Sequence, residues 1–223
     1  MGPSALTWRG VLVTASATFF AAALSGCTVL GTIAPAPLTV NGNSQLTADG
    51  ITAIKTTQAA TFDFTARPLK MASLGFPEES EGTIVVATEA KPISVSMKTQ
   101  AGEIEMDADA FRVRRGADGI VDRIDLSVSG SDIEGTIREL KRAGDDLGFN
   151  LAKGKDPEAD TGEGQSSVHS WRPGYGNKAG TVFSVEIFTS ADTGGSTFIY
   201  SAHLADEFYT ADSTARITAT GKL

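Results

Sequence analysis

Thiols and imidazoles are nearly absent from this chain of 223 residues. It holds one cysteine, Cys27, and two histidines, His169 and His203. Beyond residue 27 no disulfide framework can form and no thiolate chemistry is available, so a domain there must be held by its core. Spacings of the H-E-x-x-H, C-x-x-C, G-x-S-x-G, S-x-x-K and P-loop kinds are missing, so the sequence names no catalytic residue, no metal ligands and no cofactor. Basic residues are the next shortage, 19 against 27 acids, for a formal charge of −8. That balance argues against a nucleic-acid partner and against electrostatic attraction to anionic lipid. Internal repeats are also lacking.

What is present begins with the first 27 residues. A single charge, Arg9, precedes an apolar stretch over residues 10–26, and Leu24-Ser25-Gly26 leads into Cys27. The stretch falls short of the roughly 20 apolar residues of a comfortable bilayer span, and Thr14, Ser16, Thr18 and Ser25 interrupt it. Basic start, apolar middle and small residues before a cut are the parts of a secretory leader. Leu-Ser-Gly-Cys resembles the lipobox of bacterial membrane-anchored lipoproteins. The resemblance implies cleavage before Cys27, a diacylglyceryl group on its sulfur, and a location on the extracytoplasmic face of a cell membrane. It covers only this segment and gives an address rather than an activity. The expected organisation is a signal peptide over 1–26, a short lipidated tether over 27–37, and one β-rich domain over 38–223. Residues 1–26 hold one arginine and no acid, so the remainder carries −9.

From residue 38 the dominant signal is period two. Ile93, Val95 and Met97 alternate with Ser94, Ser96 and Lys98, and Ile104, Met106 and Ala108 with Glu103, Glu105 and Asp107. Near Ala110 the phase slips, because Phe111 and Val113 take the other parity, which predicts a break or bulge. Ile124, Leu126 and Val128 resume the alternation, followed by Phe183, Val185 and Ile187 and then by Phe198, Tyr200, Ala202 and Leu204. Residues 51–65 and 82–88, rich in Thr, Ile, Val and Phe, read as further strands.

One stretch has helical period. Ser131-Asp132-Ile133-Glu134 reads as a capping box with serine at the N-cap, and Ile133, Ile137, Leu140 and Leu147 share a face. One helix over about 131–147, packed on mainly antiparallel sheet, makes an α+β domain. Residues 153–167, acidic and glycine-rich, read as a surface loop.

Candidate ligand contacts fall in two places. Trp171, Arg172 and Tyr175 offer two flat amphipathic rings and a guanidinium that can grip a carboxylate or phosphate. Leu69, Met71, Leu74 and Phe76 lie between two prolines, where they either close the core around a short helical turn or form an apolar flap over a lipid pocket. His203, between Ala202 and Leu204, is expected on the solvated face of its strand. The expectation is therefore an envelope lipoprotein that is not an enzyme and serves as a binding or carrier module for a lipid or other amphiphile. Its partners would be the membrane, through Cys27, and a lipid or envelope protein. The alternatives are a structural or protein-interaction lipoprotein without small ligand and, behind it, a hydrolase using carboxylates such as Asp107 and Asp109.

Overall fold

The computed structural model describes residues 37–76, 82–87, 91–130, 132–149, 168–172, 174–190 and 195–223. The leader, Cys27 and the 153–167 segment lie outside them. Period two becomes strand wherever both parities are served. β5 (Ile93–Thr99) and β6 (Gly102–Ala108) form a tight hairpin, with Ile93, Val95, Met97, Ile104, Met106 and Ala108 buried and the intervening residues facing out. The phase slip falls at Asp109, between β6 and β7 (Ala110–Arg115), whose Phe111 and Val113 are buried.

β8 (Val121–Gly130), β11 (Thr181–Ser190) and β12 (Ser196–His203) are the longest strands. With β4 (Gly82–Val86), β9 (Val168–Trp171) and β10 (Tyr175–Lys178) they complete a large antiparallel sheet in the order β10-β11-β12-β8-β7-β4, in which β9 also pairs with β11. β3 (Ala59–Asp63) pairs with β5 in parallel, making a smaller sheet β3-β5-β6. A two-residue hairpin, β1 (Thr39–Val40) and β2 (Asn43–Ser44), precedes them. The fold is α+β, dominated by antiparallel sheet. One core draws on both sheets, and Phe62 of β3 meets Phe111 of β7 edge-to-face with centroids 5.6 Å apart.

The strand expected over 51–65 is corrected in its first half. Residues 48–57 are a helix, α1 (Ala48–Thr57), capped by Thr47, whose hydroxyl accepts from the Gly50 N–H at 3.2 Å. Its β-branched residues give it the composition of a strand. Thr52, Thr56 and Thr57 each donate to a carbonyl four residues back, so their polar ends are satisfied within the helix. Gln58, in the left-handed region, ends it.

The central helix forms as expected, α2 (Ile133–Leu147), but its cap is Asp132 rather than Ser131, with the carboxylate accepting from Gly135 N–H at 2.7 Å. Its buried stripe is rotated as well. Ala143 and Leu147 are buried and Leu140 partly so, whereas Ile137 is 48% exposed. The rotation follows from polar needs on β12. Ser196 hydroxyl pairs with Thr136 hydroxyl, and the fully buried Tyr200 ring sends its O–H to the Glu139 carboxylate at 3.3 Å. Satisfying two buried hydroxyls outweighs burying one isoleucine. A further helix, α3 (Ala211–Thr220), is capped by Thr210 and has no counterpart in the sequence reading. With a short 3-10 turn over Asp206–Tyr209, it builds a second apolar cluster of Val182, Phe208 and Ile217.

Candidate functional site

Sheet register decides which polar side chains meet. Side chains on directly paired residues of an antiparallel sheet share a face. On the face of the large sheet turned away from the main core, one such row runs Tyr175, Ser184, Ser201, Asp125, Arg112 across five strands. The next row runs His203, Arg123, Arg114. These residues take the polar parity of strands whose other parity fills the core: Ser184 and Glu186 flank Val185, and Arg123 and Asp125 flank Ile124. The 206–220 segment folds back over the His203 end of this face and leaves the rest as a cleft of about 320 Å³.

Asp125 is the organising group. It is buried, and its Oδ1 accepts from the Ser201 hydroxyl at 2.7 Å while Oδ2 accepts from Arg114 Nε at 2.5 Å. Arg123 Nε lies 3.2 Å from Oδ1 but points off the line to it, so this contact is an ion pair without a hydrogen bond, and among the described residues the buried nitrogen has no hydrogen-bond acceptor. Arg114 and Arg123 face each other directly across β7 and β8. Like charges in that relation repel, and one carboxylate serves both. At the rim, Arg172 Nη2 reaches Glu186 Oε1 at 2.5 Å, and the arginine side chain is 74% exposed.

His203 overturns its expected place on a solvated face. Its side chain does lie on the polar face of β12, but the residues after 204 cover it: it is 5% exposed and stacks on Phe208 with centroids 4.1 Å apart. Tyr209 donates to the His203 carbonyl at 2.5 Å and Arg67 sits over the Tyr209 ring, which fixes the covering turn in place. Nε2 meets Ser184 Oγ at 2.8 Å. Burial, reinforced by the Arg123 charge and opposed by Asp125, pushes the imidazole down to about 4. The ring is neutral at pH 7 and accepts a proton reluctantly.

Comparisons with known proteins stand alongside this geometry: no protein family, curated protein or solved structure matches the chain.

Of the residues singled out from sequence, Arg172 and Tyr175 both border the cleft. Trp171 pairs with Ile187 as the last residue of β9, and its side chain lies outside what is described. Leu69, Met71 and Leu74 are buried in the main core and Phe76 packs against it, around a 3-10 turn over Met71–Leu74 that ends at left-handed Gly75. A flap over a pocket is not their arrangement, because the core uses their apolar area. Asp107 is exposed on β6, and Asp109 accepts from the Ser129 N–H at 2.7 Å.

Ser184, Asp125, Arg114 and Arg123 were not foreseen. The signal was present as charges at i and i+2, Arg112 with Arg114 and Arg123 with Asp125, but register was needed to join them. A wider hollow of about 570 Å³ lies between the end of α2, β10 and α3. Gly144, Gly148, Gly176 and Gly221 take part in its lining beside Phe149, Tyr175 and Ile217, and Asp145 is its one charged residue among the described residues.

Proposed function

We propose that this chain is an envelope lipoprotein, anchored through Cys27 on the extracytoplasmic face of a cell membrane, whose domain is a non-enzymatic binding module for the polar end of an amphiphile. The observation that carries the binding reading is the cleft on the polar face of the large sheet. There Arg114 and Arg123 converge on buried Asp125, beside Ser184, Ser201 and His203. Specific recognition of a small molecule uses a few fixed polar groups in a concavity, and these are fixed by register and mutual hydrogen bonds. Residues 69–76 belong to the core, so the reading assigns the ligand's head group, rather than its chains, to the domain.

Two measurements test the halves separately. Cys27→Ala is expected to leave the fold intact and move the protein from the membrane to the soluble fraction; unchanged membrane association would end the anchor reading. Native mass spectrometry of the full chain purified from envelopes is expected to find a co-purifying amphiphile, lost when Arg114 and Arg123 are both changed to Gln. A ligand retained by that variant would place binding elsewhere.

One observation favours a second reading, a serine hydrolase: the 2.8 Å contact between Ser184 Oγ and His203 Nε2. Its environment weighs against it. A general base works best with a pKa near the working pH, and burial beside Arg123 disfavours the imidazolium that proton transfer would create. Covalent labelling of Ser184 by a fluorophosphonate would favour the hydrolase, and its absence the binding module.

A further inference from the structure

Two arginines share one acid in the cleft, and the sharing leaves half of each guanidinium unused. Arg114 and Arg123 are direct partners across β7 and β8. Both turn Nε to Asp125, Arg114 at 2.5 Å from Oδ2 and Arg123 at 3.2 Å from Oδ1. The carboxylate is buried and engaged on both oxygens, because Oδ1 also takes the Ser201 hydroxyl. The Nη groups of the two arginines donate to nothing among the described residues, and unlike Arg123 Nε they are not enclosed. Both side chains line the cleft and are about one-third exposed. Among the described lining residues, three guanidiniums (Arg114, Arg123, Arg172) meet two carboxylates (Asp125, Glu186), an excess of one positive charge beside a neutral His203. Arg172 is paired with Glu186 at the rim, so the excess rests on Arg114 and Arg123. Like charges directly opposed on a sheet repel, and an anion at their outer edges relieves that repulsion.

We infer that the cleft is a carboxylate site, in which the Nη groups of Arg114 and Arg123 hold the head of a singly charged acid. This deepens the binding-module reading and rests on it. A carboxylate brings the lining to neutrality. A phosphomonoester, at about −1.5 to −2, would overshoot it next to the buried charge of Asp125. Geometry agrees with charge, since a guanidinium donates in a planar fork and a carboxylate offers two coplanar oxygens. A phosphodiester is also singly charged, but it carries a substituent on each side. On one side of these arginines stands His203 under its Phe208 cover. A head with a single substituent needs only the other side, where Ser184 and the partly buried Ile199 line the cleft. The acid is the head of a fatty acid or a soluble carboxylate, and the same contacts serve both.

The test uses the full chain in a neutral maltoside detergent at pH 7, titrated calorimetrically with hexanoate, acetate, hexanol and hexyl phosphate. The expected result is binding of hexanoate, none of hexanol, and weaker binding of hexyl phosphate. Arg114→Gln removes the excess charge and is expected to lose at least tenfold in hexanoate affinity. Asp125→Asn, nearly the same in shape, raises the excess to two. It is expected to bind hexyl phosphate several fold more tightly than the wild type does, so that hexyl phosphate overtakes hexanoate. A cluster that only holds the fold together would give no such gain, and this variant decides the matter if Arg114→Gln loses its folded circular dichroism. Hexanoate binding far more tightly than acetate identifies the source as a fatty acid; equal affinities identify it as soluble, and either outcome supports the site. Equal binding of hexanol, hexyl phosphate ahead of hexanoate in the wild type, affinities indifferent to both substitutions, or no carboxylate binding at all would overturn it. Amide shift mapping separates this failure from that of the general reading. An envelope ligand perturbing residues around Gly148 and Ile217 instead would leave a binding module with a different site.

Discussion

His203 stacks on Phe208 at 4.1 Å and thereby becomes a buried neutral imidazole on what would otherwise be the wet face of its strand. Its consequence for pH follows from the two end states. Unfolded, the imidazole takes up a proton near pH 6.5; folded, only near pH 4. Its contribution to stability is fully present above 6.5 and is lost as the pH falls toward 4, by up to ~3 kcal/mol, because the unfolded chain binds the proton first. The urea midpoint is expected to fall between pH 7 and pH 4.5, and to fall much less in His203→Gln. A wild-type midpoint that is flat over this window would show that the ring is not buried as described.

Removing Asp125 leaves the arginines without their shared carboxylate. Asp125→Ala is expected to cost about 2–3 kcal/mol in chemical denaturation, below the full penalty for a buried pair because both arginine side chains are about one-third exposed. Ser201→Ala, which removes one hydrogen bond, should cost about 1 kcal/mol. A change under about 0.5 kcal/mol for Asp125→Ala would mean that solvent already screens the cluster.

Leu74 decides between core and flap by experiment. It is fully buried, so Leu74→Ala is expected to destabilise by about 3 kcal/mol and to leave the ligand affinity of the folded protein unchanged. A flap residue would give the reverse, with stability held and affinity lost.

Gly176 sits where β10 passes the end of α2. A Cβ there would lie 2.3 Å from the Leu147 carbonyl oxygen and 3.1 Å from Phe149 N. Backbone on both sides has no rotamer to give way, so Gly176→Ala is expected to cost about 1–3 kcal/mol or more. Because Tyr175 borders the cleft, ligand affinity should fall with it. A thermal midpoint within a degree of wild type would show that β10 can move away from α2 freely.

Strands β3 to β8, β11 and β12 were legible in the sequence, down to a phase slip near Ala110, because alternation records which residues face a core; the short strands β1, β2, β9 and β10, and helix α3, were not. Three further features escaped it. α1 carries strand-like residues, and its Thr hydroxyls satisfy themselves inside the helix. The stripe of α2 turned away from Ile137 toward hydroxyls on β12, which only the docked sheet supplies. The site was half legible: Arg172 and Tyr175 stood out as residue types, whereas Ser184, Asp125 and the paired arginines acquire meaning from a register joining residues far apart in sequence. His203 was misplaced for a related reason, since parity gives a face but not what later folds over it.

The place of β12 in the large sheet sets an order of assembly. It lies between β11 and β8, so before residues 196–203 are available the sheet exists only as two separate pieces: β4, β7 and β8 on one side, and β9, β10 and β11 on the other. Each piece exposes a strand edge whose partner has yet to emerge, and such edges invite pairing with other chains. The contacts that close the sheet span long stretches of sequence, which makes closure slow compared with hairpin formation. A chain emerging from its N-terminus is therefore at greatest risk of aggregation just before its last long strand appears, and holdase assistance would matter most in that interval.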